Sequence, residues 1–196
     1  MTTRSKFLAT GKRFVGTKGR PNLFTRWYAK LSGSAYLSAA WCAMFVSYIA
    51  STVGLKSVGR FAYCPSWVNY FKREKRWGHT PKPGAIVFFD WNRDDQADHV
   101  GIVEYVKGPY VYTIEGNKGD AVRRVARSPR DILGYGYPVF DEESRTYTVK
   151  AGDSLSKVAV RFYADASKWK DIYQANRGLI GDDPALIKAG QKLKLP

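Results

Sequence analysis

A short charged run, Asp141-Glu142-Glu143-Ser144-Arg145, cuts the chain into two unequal parts, and the apolar residues on its two sides follow different plans. With 196 residues, 44% of them apolar, the chain can bury one medium core and one very small one. Two domains are therefore expected, over residues 1–140 and 146–196, with 141–145 as the linker.

The larger part runs from helices to strands. Ala40 to Val53 reads as a helix, because Cys42, Phe45, Val46, Ile49 and Val53 recur at i, i+3, i+4, i+7 and i+11 and Gly54 can close it. Pro65 and Ser66 can open a second helix through Trp67, Val68, Tyr70 and Phe71, with Cys64 at its N-cap. Ala85 to Phe89 is an apolar run suited to a buried central strand. His99–Val106 and Tyr110–Glu115 flank Lys107-Gly108-Pro109 as a hairpin, and Val122–Val125 suits a further strand. Helices followed by an antiparallel sheet make an α+β layout.

Past the charged run the pattern becomes βααβ. Tyr147-Thr148-Val149 reads as a strand, and Gly152-Asp153-Ser154 caps a helix with a core face of Leu155, Val158, Ala159 and Phe162. A second helix carries Trp169, Ile172, Tyr173 and Asn176 at helical spacing and is expected to close at Arg177-Gly178; Gln191 to Leu195 alternates as an edge strand.

From Asp141 onward ten basic residues face eight acidic ones, which leaves 22 against nine, a net +13, on residues 1–140. That field attracts polyanions of any kind, including nucleic acid, anionic lipid and the carboxylates and phosphates of a bacterial wall. Most aromatic residues sit at core periods rather than among basic ones, which argues against nucleic acid as the partner. No stretch reaches the roughly 18 apolar residues of a membrane span, so no membrane insertion is expected. The apolar run at the start ends at Ala9, too short for a signal peptide, so the expected site of accumulation is the cytoplasm.

A thiol is a strong nucleophile only as thiolate, which favours a cysteine at a helix N-terminus with a histidine in reach. Cys42 lies in the first turn of its helix, and Cys64 is a rival at the start of the next. His79 sits in a Pro-rich loop, whereas His99 opens a strand. A three-residue connection in the hairpin would put Asn117 opposite His99 and Glu115 diagonal to it, where either could fix the imidazole. Gly101, on the His99 face, would let the Cys42 helix approach. The plainer roles are a small buried cysteine, a structural strand histidine and a Glu115 that begins a turn.

Trp41-Cys42-Ala43-Met44-Phe45-Val46-Ser47, Asp98-His99-Val100-Gly101-Ile102-Val103 and Thr113-Ile114-Glu115-Gly116-Asn117, in that order, resemble the CHAP family of cysteine, histidine-dependent amidohydrolases and peptidases. The resemblance implies a papain-like fold of helices packed on an antiparallel sheet, with Cys42 as nucleophile, His99 as base, and Glu115 and Asn117 as orienting residues. It leaves Cys64 structural, and Trp41, beside the nucleophile, is expected to contact substrate. The acidic calcium loop of some relatives has no counterpart in Arg20-Pro21-Asn22-Leu23-Phe24, so neither metal nor other cofactor is expected.

The tail, through Tyr147–Leu155, Ala175-Asn176, and Asp183-Pro184 through Ile187 to Leu193, resembles a LysM module, which binds N-acetylglucosamine-containing glycans. That likeness implies sugar between Gly152, Asp153, Ser154 and Leu155 on one side and Pro184 to Ile187 on the other. The two likenesses together imply a monomeric peptidoglycan hydrolase that cuts an N-acetylmuramoyl-L-alanine amide or a peptide bond. Such a chain resembles a bacteriolytic bacteriophage endolysin, held in the host cytoplasm until it reaches glycan, stem peptide and anionic wall polymers. The alternative from another class is a catalytically silent wall-binding or polyanion-binding protein.

Overall fold

The computed structural model describes residues 2–141 and 145–195, so residues 142–144 of the expected linker lie outside the described residues. The chain divides into two compact units, Met1–Asp141 and Glu142–Pro196. Among the described residues no helix is long and apolar enough to cross a membrane.

Four helices open the first unit: α1 (Arg4–Arg13), α2 (Leu23–Ser32), α3 (Cys42–Thr52) and α4 (Cys64–Arg73). A capping box starts α2: the Asn22 side chain accepts from the Phe24 and Thr25 amides, and the Thr25 hydroxyl accepts from the Asn22 amide. Helix α3 has no side-chain cap and is held instead by burial, since Cys42 through Ser47, Ile49 and Ala50 are all buried. The Trp41 ring stacks on Phe24 at 5.4 Å and Phe24 meets Phe45 edge-on at 5.2 Å. Such pairs contribute about 0.5–1.5 kcal/mol each beyond the area they bury.

The strands follow as β1 (Trp77–Gly78), β2 (Ile86–Phe89), β3 (His99–Lys107), β4 (Tyr110–Glu115), β5 (Arg123–Arg127) and β6 (Ile132–Gly136). They form one antiparallel sheet in the order β1-β6-β2-β3-β4-β5. Ile86, Phe88, Val100, Ile102 and Ile114 join the core built with the helices, while Val87, Phe89, Val103, Val111 and Tyr135 form a second cluster on the opposite face. Both faces of β2 are therefore covered, and its four residues are an unbroken apolar run rather than an alternation. The sequence pattern does not announce β6, because Gly134 and Gly136 interrupt it. A side chain at either position would run into the rings of Trp77 or Phe71, so packing demands the glycines.

The β3–β4 hairpin reaches its register by a different route from the expected one. Its turn has two residues, Gly108-Pro109, and Lys107 pairs with Tyr110. A bulge between Val103 and Tyr105 then shifts the ladder by one residue, so that Ile102 faces Ile114, as a three-residue connection would also have arranged. The residue at the bulge, Glu104, is buried, and its carboxylate takes Arg124 at 2.6 and 2.7 Å and Lys12 at 2.8 Å. Gly101 does not serve the approach of α3, because a side chain there would meet Glu115 Cγ at 2.8 Å. The close approach is at Gly116, where a Cβ would lie 2.8 Å from Phe45 Cγ and 3.1 Å from Trp41.

The second unit consists of β7 (Arg145–Thr148), α5 (Leu155–Tyr163), α6 (Trp169–Ile180) and β8 (Lys192–Leu195), with β7 and β8 paired antiparallel. Its core is Tyr147, Val149, Leu155, Val158, Ala159, Ile172, Ile180, Leu193 and Leu195. Phe162, expected in that core, is 38% exposed and meets the Tyr147 ring edge-on. Helix α6 continues through Gly178 to Ile180 and closes at Gly181, whose φ of +89° suits glycine. Asn176 ties this helix to the sheet. Its amide nitrogen donates to the Ile172 and Lys194 carbonyls, and its Oδ1 accepts from the Lys194 amide, each at 2.7 Å.

Candidate active site

Cys42 is the first residue of α3 and Cys64 the first residue of α4, one place inside the N-cap expected for it. Both thiols are buried and free, and their sulfurs lie 3.6 Å apart. At the first turn of α3 the amides have no partner within the helix, and the Ala43 N–H turns toward the Cys42 sulfur.

His99, the first residue of β3, reaches the same place from the sheet. Its Nε2 lies 3.1 Å from Glu115 Oε2, which leaves Nδ1 for the Cys42 thiol. Glu115 ends β4 with its carboxylate wholly buried. Arg127, from β5, grips that carboxylate with two bonds, Nε to Oε1 at 2.8 Å and Nη2 to Oε2 at 2.5 Å, and the Thr113 hydroxyl donates to Oε1 at 2.5 Å.

These contacts set the protonation states. Cys42 is pushed well below an ordinary thiol chiefly by the hydrogen bond from Cys64; burial opposes this, and the hydrogen bond and charge of His99 add to it. Cys64 is pushed up by that same bond, by burial and by the Cys42 charge, so it remains the protonated donor. Burial would depress the His99 imidazole, but its bonds and charges with Cys42 and Glu115 outweigh burial and raise it to about 9. Burial likewise opposes ionisation of Glu115, yet Arg127, His99 and Thr113 hold its carboxyl at about 2. The row thus sets a lowered thiol beside a raised imidazole and a lowered carboxyl, closed by a guanidinium.

Trp91 borders this row. Its ring is 46% exposed and stacks on His99 at 5.4 Å and 25°, and Arg127 lies over it at 5.7 Å and over Phe89 at 4.8 Å. The loop that presents it is held by acidic caps. Asp98 accepts the Trp91 amide at 2.7 Å, and Asp90 accepts the amides of Arg93, Asp94 and Asp95.

Among the residues expected at the site, the structure thus brings Cys42, His99 and Glu115 together. Asn117 lies two residues past the end of β4 with φ at +60°, and among the described residues its side chain makes no hydrogen bond. Trp41 is corrected from substrate contact to core: it is wholly buried, stacked on Phe24, and donates to Asp120 at 3.1 Å. Sequence reasoning missed Arg127, Thr113 and Trp91. The register places Arg123 opposite Glu115, but Arg123 turns to the Lys118 carbonyl, and Arg127 reaches along the strands instead. A surface cavity of about 660 Å³ beside Leu23, Trp27 and Tyr48 contains none of these residues. Among the described residues no group of three or more His, Cys, Asp or Glu side chains gathers as a metal site would require.

Residues 34–117 match the CHAP domain and residues 147–196 match the LysM domain. The chain carries a CHAP domain followed by a LysM domain. The row from Cys42 to Glu115 lies within the stretch matched as CHAP, whereas Arg127 lies beyond it. The LysM domain places the residues expected at sugar as follows. Leu155 is buried in the core, Ile187 packs on it half-buried, and Pro184 is half-buried. The Asp153 carboxylate accepts from the Tyr147 hydroxyl at 2.6 Å and the Lys150 amide at 2.8 Å, Ser154 caps α5, and Gly152 has φ at +81°. Leu155 is thus a packing residue.

An uncharacterized protein of Deinococcus radiodurans is 45% identical over 56 residues, 29% of this chain and 21% of that protein. The uncharacterized protein YqbP of Bacillus subtilis is 40% identical over 60 residues, 26% of this chain and 27% of that one. Esterase Rv1288 of Mycobacterium tuberculosis is 37% identical over 67 residues, with 34% of this chain and 14% of the esterase matched. This chain thus spans only a small part of these relatives. The crystal structure of Ly7917 is 18% identical, with a TM-score of 0.46 over 76% of this chain and 66% of that chain.

Proposed function

We propose that this chain is a peptidoglycan hydrolase that cuts an amide bond of the bacterial wall by Cys-His nucleophilic catalysis, with its LysM domain holding it on the glycan. The observation that carries this reading is the buried row of Cys42, at the start of α3, with His99 and Glu115, whose imidazole and carboxylate lie 3.1 Å apart. The Cys42 thiolate attacks the amide carbonyl carbon, and the imidazolium of His99 gives its proton to the leaving amine. Water, activated by the now neutral imidazole, hydrolyses the acyl-enzyme and restores the thiolate. The amides at the start of α3, which have no partner within the helix, suit the oxyanion of each tetrahedral intermediate. Trp91, exposed beside His99, offers a stacking wall to the bound chain.

The net +13 on residues 1–140 supports arrival at a wall rich in carboxylate and phosphate, and the LysM domain raises the local concentration of catalyst on an insoluble substrate. The scissile bond is the N-acetylmuramoyl-L-alanine amide or a peptide bond of the stem or cross-bridge. Mass spectrometry of fragments from defined walls tests this. New amino termini within peptides mark an endopeptidase, and stem peptides freed from intact glycan mark an amidase. Walls returned uncut over a range of chemotypes would leave a wall-binding protein.

A further inference from the structure

We propose that Cys42 and Cys64 together form a reversible oxidation site, in which Cys64 captures the peroxide-oxidised nucleophile as a disulfide. The hydrolytic mechanism needs only one sulfur, yet a second lies 3.6 Å away, equally buried and equally free. The two belong to different helices and are 22 residues apart, but each is the first residue of its helix, so their side chains converge where the helices begin. Among the described residues, the one side-chain hydrogen bond of Cys64 is to Cys42. Closure to a disulfide bond length of about 2.05 Å asks each sulfur to move by less than one ångström.

The chemistry balances with a peroxide as oxidant. The Cys42 thiolate attacks one peroxide oxygen, takes it up as a sulfenic acid, and releases water after protonation. The Cys64 sulfur then attacks the Cys42 sulfur, the S–OH bond breaks, and a second water leaves with the Cys64 proton. Two electrons pass from the thiol pair to the peroxide in all. A dithiol returns them by exchange and restores both cysteines. A route open to a wall peptide admits hydrogen peroxide, and capture by Cys64 stops oxidation of Cys42 short of the sulfinic acid, from which simple thiols give no return. The proposal rests on Cys42 being the reactive thiolate described above, and not on which bond that thiolate cuts.

The test uses the full chain. After hydrogen peroxide, the wild-type protein should lose both titratable thiols and yield one cross-linked peptide containing Cys42 and Cys64. Its wall-clearing rate should fall and return in full with dithiothreitol. In Cys64→Ala, scored against its own untreated rate, dithiothreitol should restore little, and Cys42 should be found as sulfinic or sulfonic acid. A wild-type protein that keeps Cys64 as a free thiol while Cys42 is oxidised would overturn the proposal, as would equal recovery of the variant. Disulfide formation in a chain that clears no wall would refute the hydrolase reading alone, and wall clearing without the disulfide would refute this inference alone.

Discussion

Cys42→Ala should abolish hydrolysis, lowering the rate by at least about 10³-fold, while leaving binding to the wall intact. No other residue in the row can take over. Cys64 is the only other thiol in the sequence, and its hydrogen bond to Cys42, burial and the Cys42 charge hold it protonated. With Cys42 gone that charge vanishes, but Cys64 sits at another helix and its sulfur lies 3.6 Å from the position attack requires. The substitution removes one small buried side chain, so the fold should survive, at a cost of about 1 kcal/mol. A pull-down on purified walls alongside a turbidity assay separates the two effects. Clearing by the variant at the wild-type rate would reject the thiol mechanism.

Glu115→Gln should damage both stability and rate, because one carboxylate serves two cations. Glu115 is wholly buried, with Arg127 bonded to both of its oxygens and His99 to one. Removing the charge leaves the guanidinium, which is only 16% exposed, without its counter-ion, and such breaks cost about 3–5 kcal/mol. The imidazolium loses a partner as well, so its pKa should fall from about 9 and the rate should drop by about 10²-fold. The sign of the pH effect follows from the depressed carboxyl. The wild-type protein keeps this contribution above the ordinary range of a glutamate and loses it as pH falls through about 2, whereas the variant has none to lose. Thermal melts of both proteins between neutral and acidic pH therefore should converge as the pH drops. Parallel curves would assign the stability to something other than the carboxylate.

Periodicity made much of this legible. Helix α3 carried its spacing of Phe45, Val46 and Ile49, β2 its unbroken apolar run, and the β3–β4 hairpin its turn signal in Lys107-Gly108-Pro109, of which Lys107 proved to be part of the strand. The two small helices and two short strands of the second unit were equally open to reading, apart from Phe162 and the last turn of α6. What stayed hidden depends on contacts between elements. That Cys64 lies beside Cys42 follows from the convergence of two helix starts, which no spacing within either helix encodes. The bulge at Glu104 comes from a buried carboxylate seeking Arg124 and Lys12, and its one-residue shift happened to match that of a longer turn. Arg127 reached Glu115 across the register, while Arg123, which the register favours, did not. Trp41 sits beside the nucleophile in sequence, but its side chain points into the core, so proximity along the chain misled about proximity to substrate.

If Cys64 and His99 hold Cys42 as a thiolate at neutral pH, the rate of its alkylation as a function of pH reports it. With iodoacetamide in excess and the Cys42 peptide followed by mass spectrometry, the rate should rise with a midpoint well below that of a free thiol. In His99→Ala the midpoint should move upward, since one of the influences that lower it is gone. A wild-type midpoint in the ordinary thiol range, unmoved by loss of the imidazole, would contradict the account.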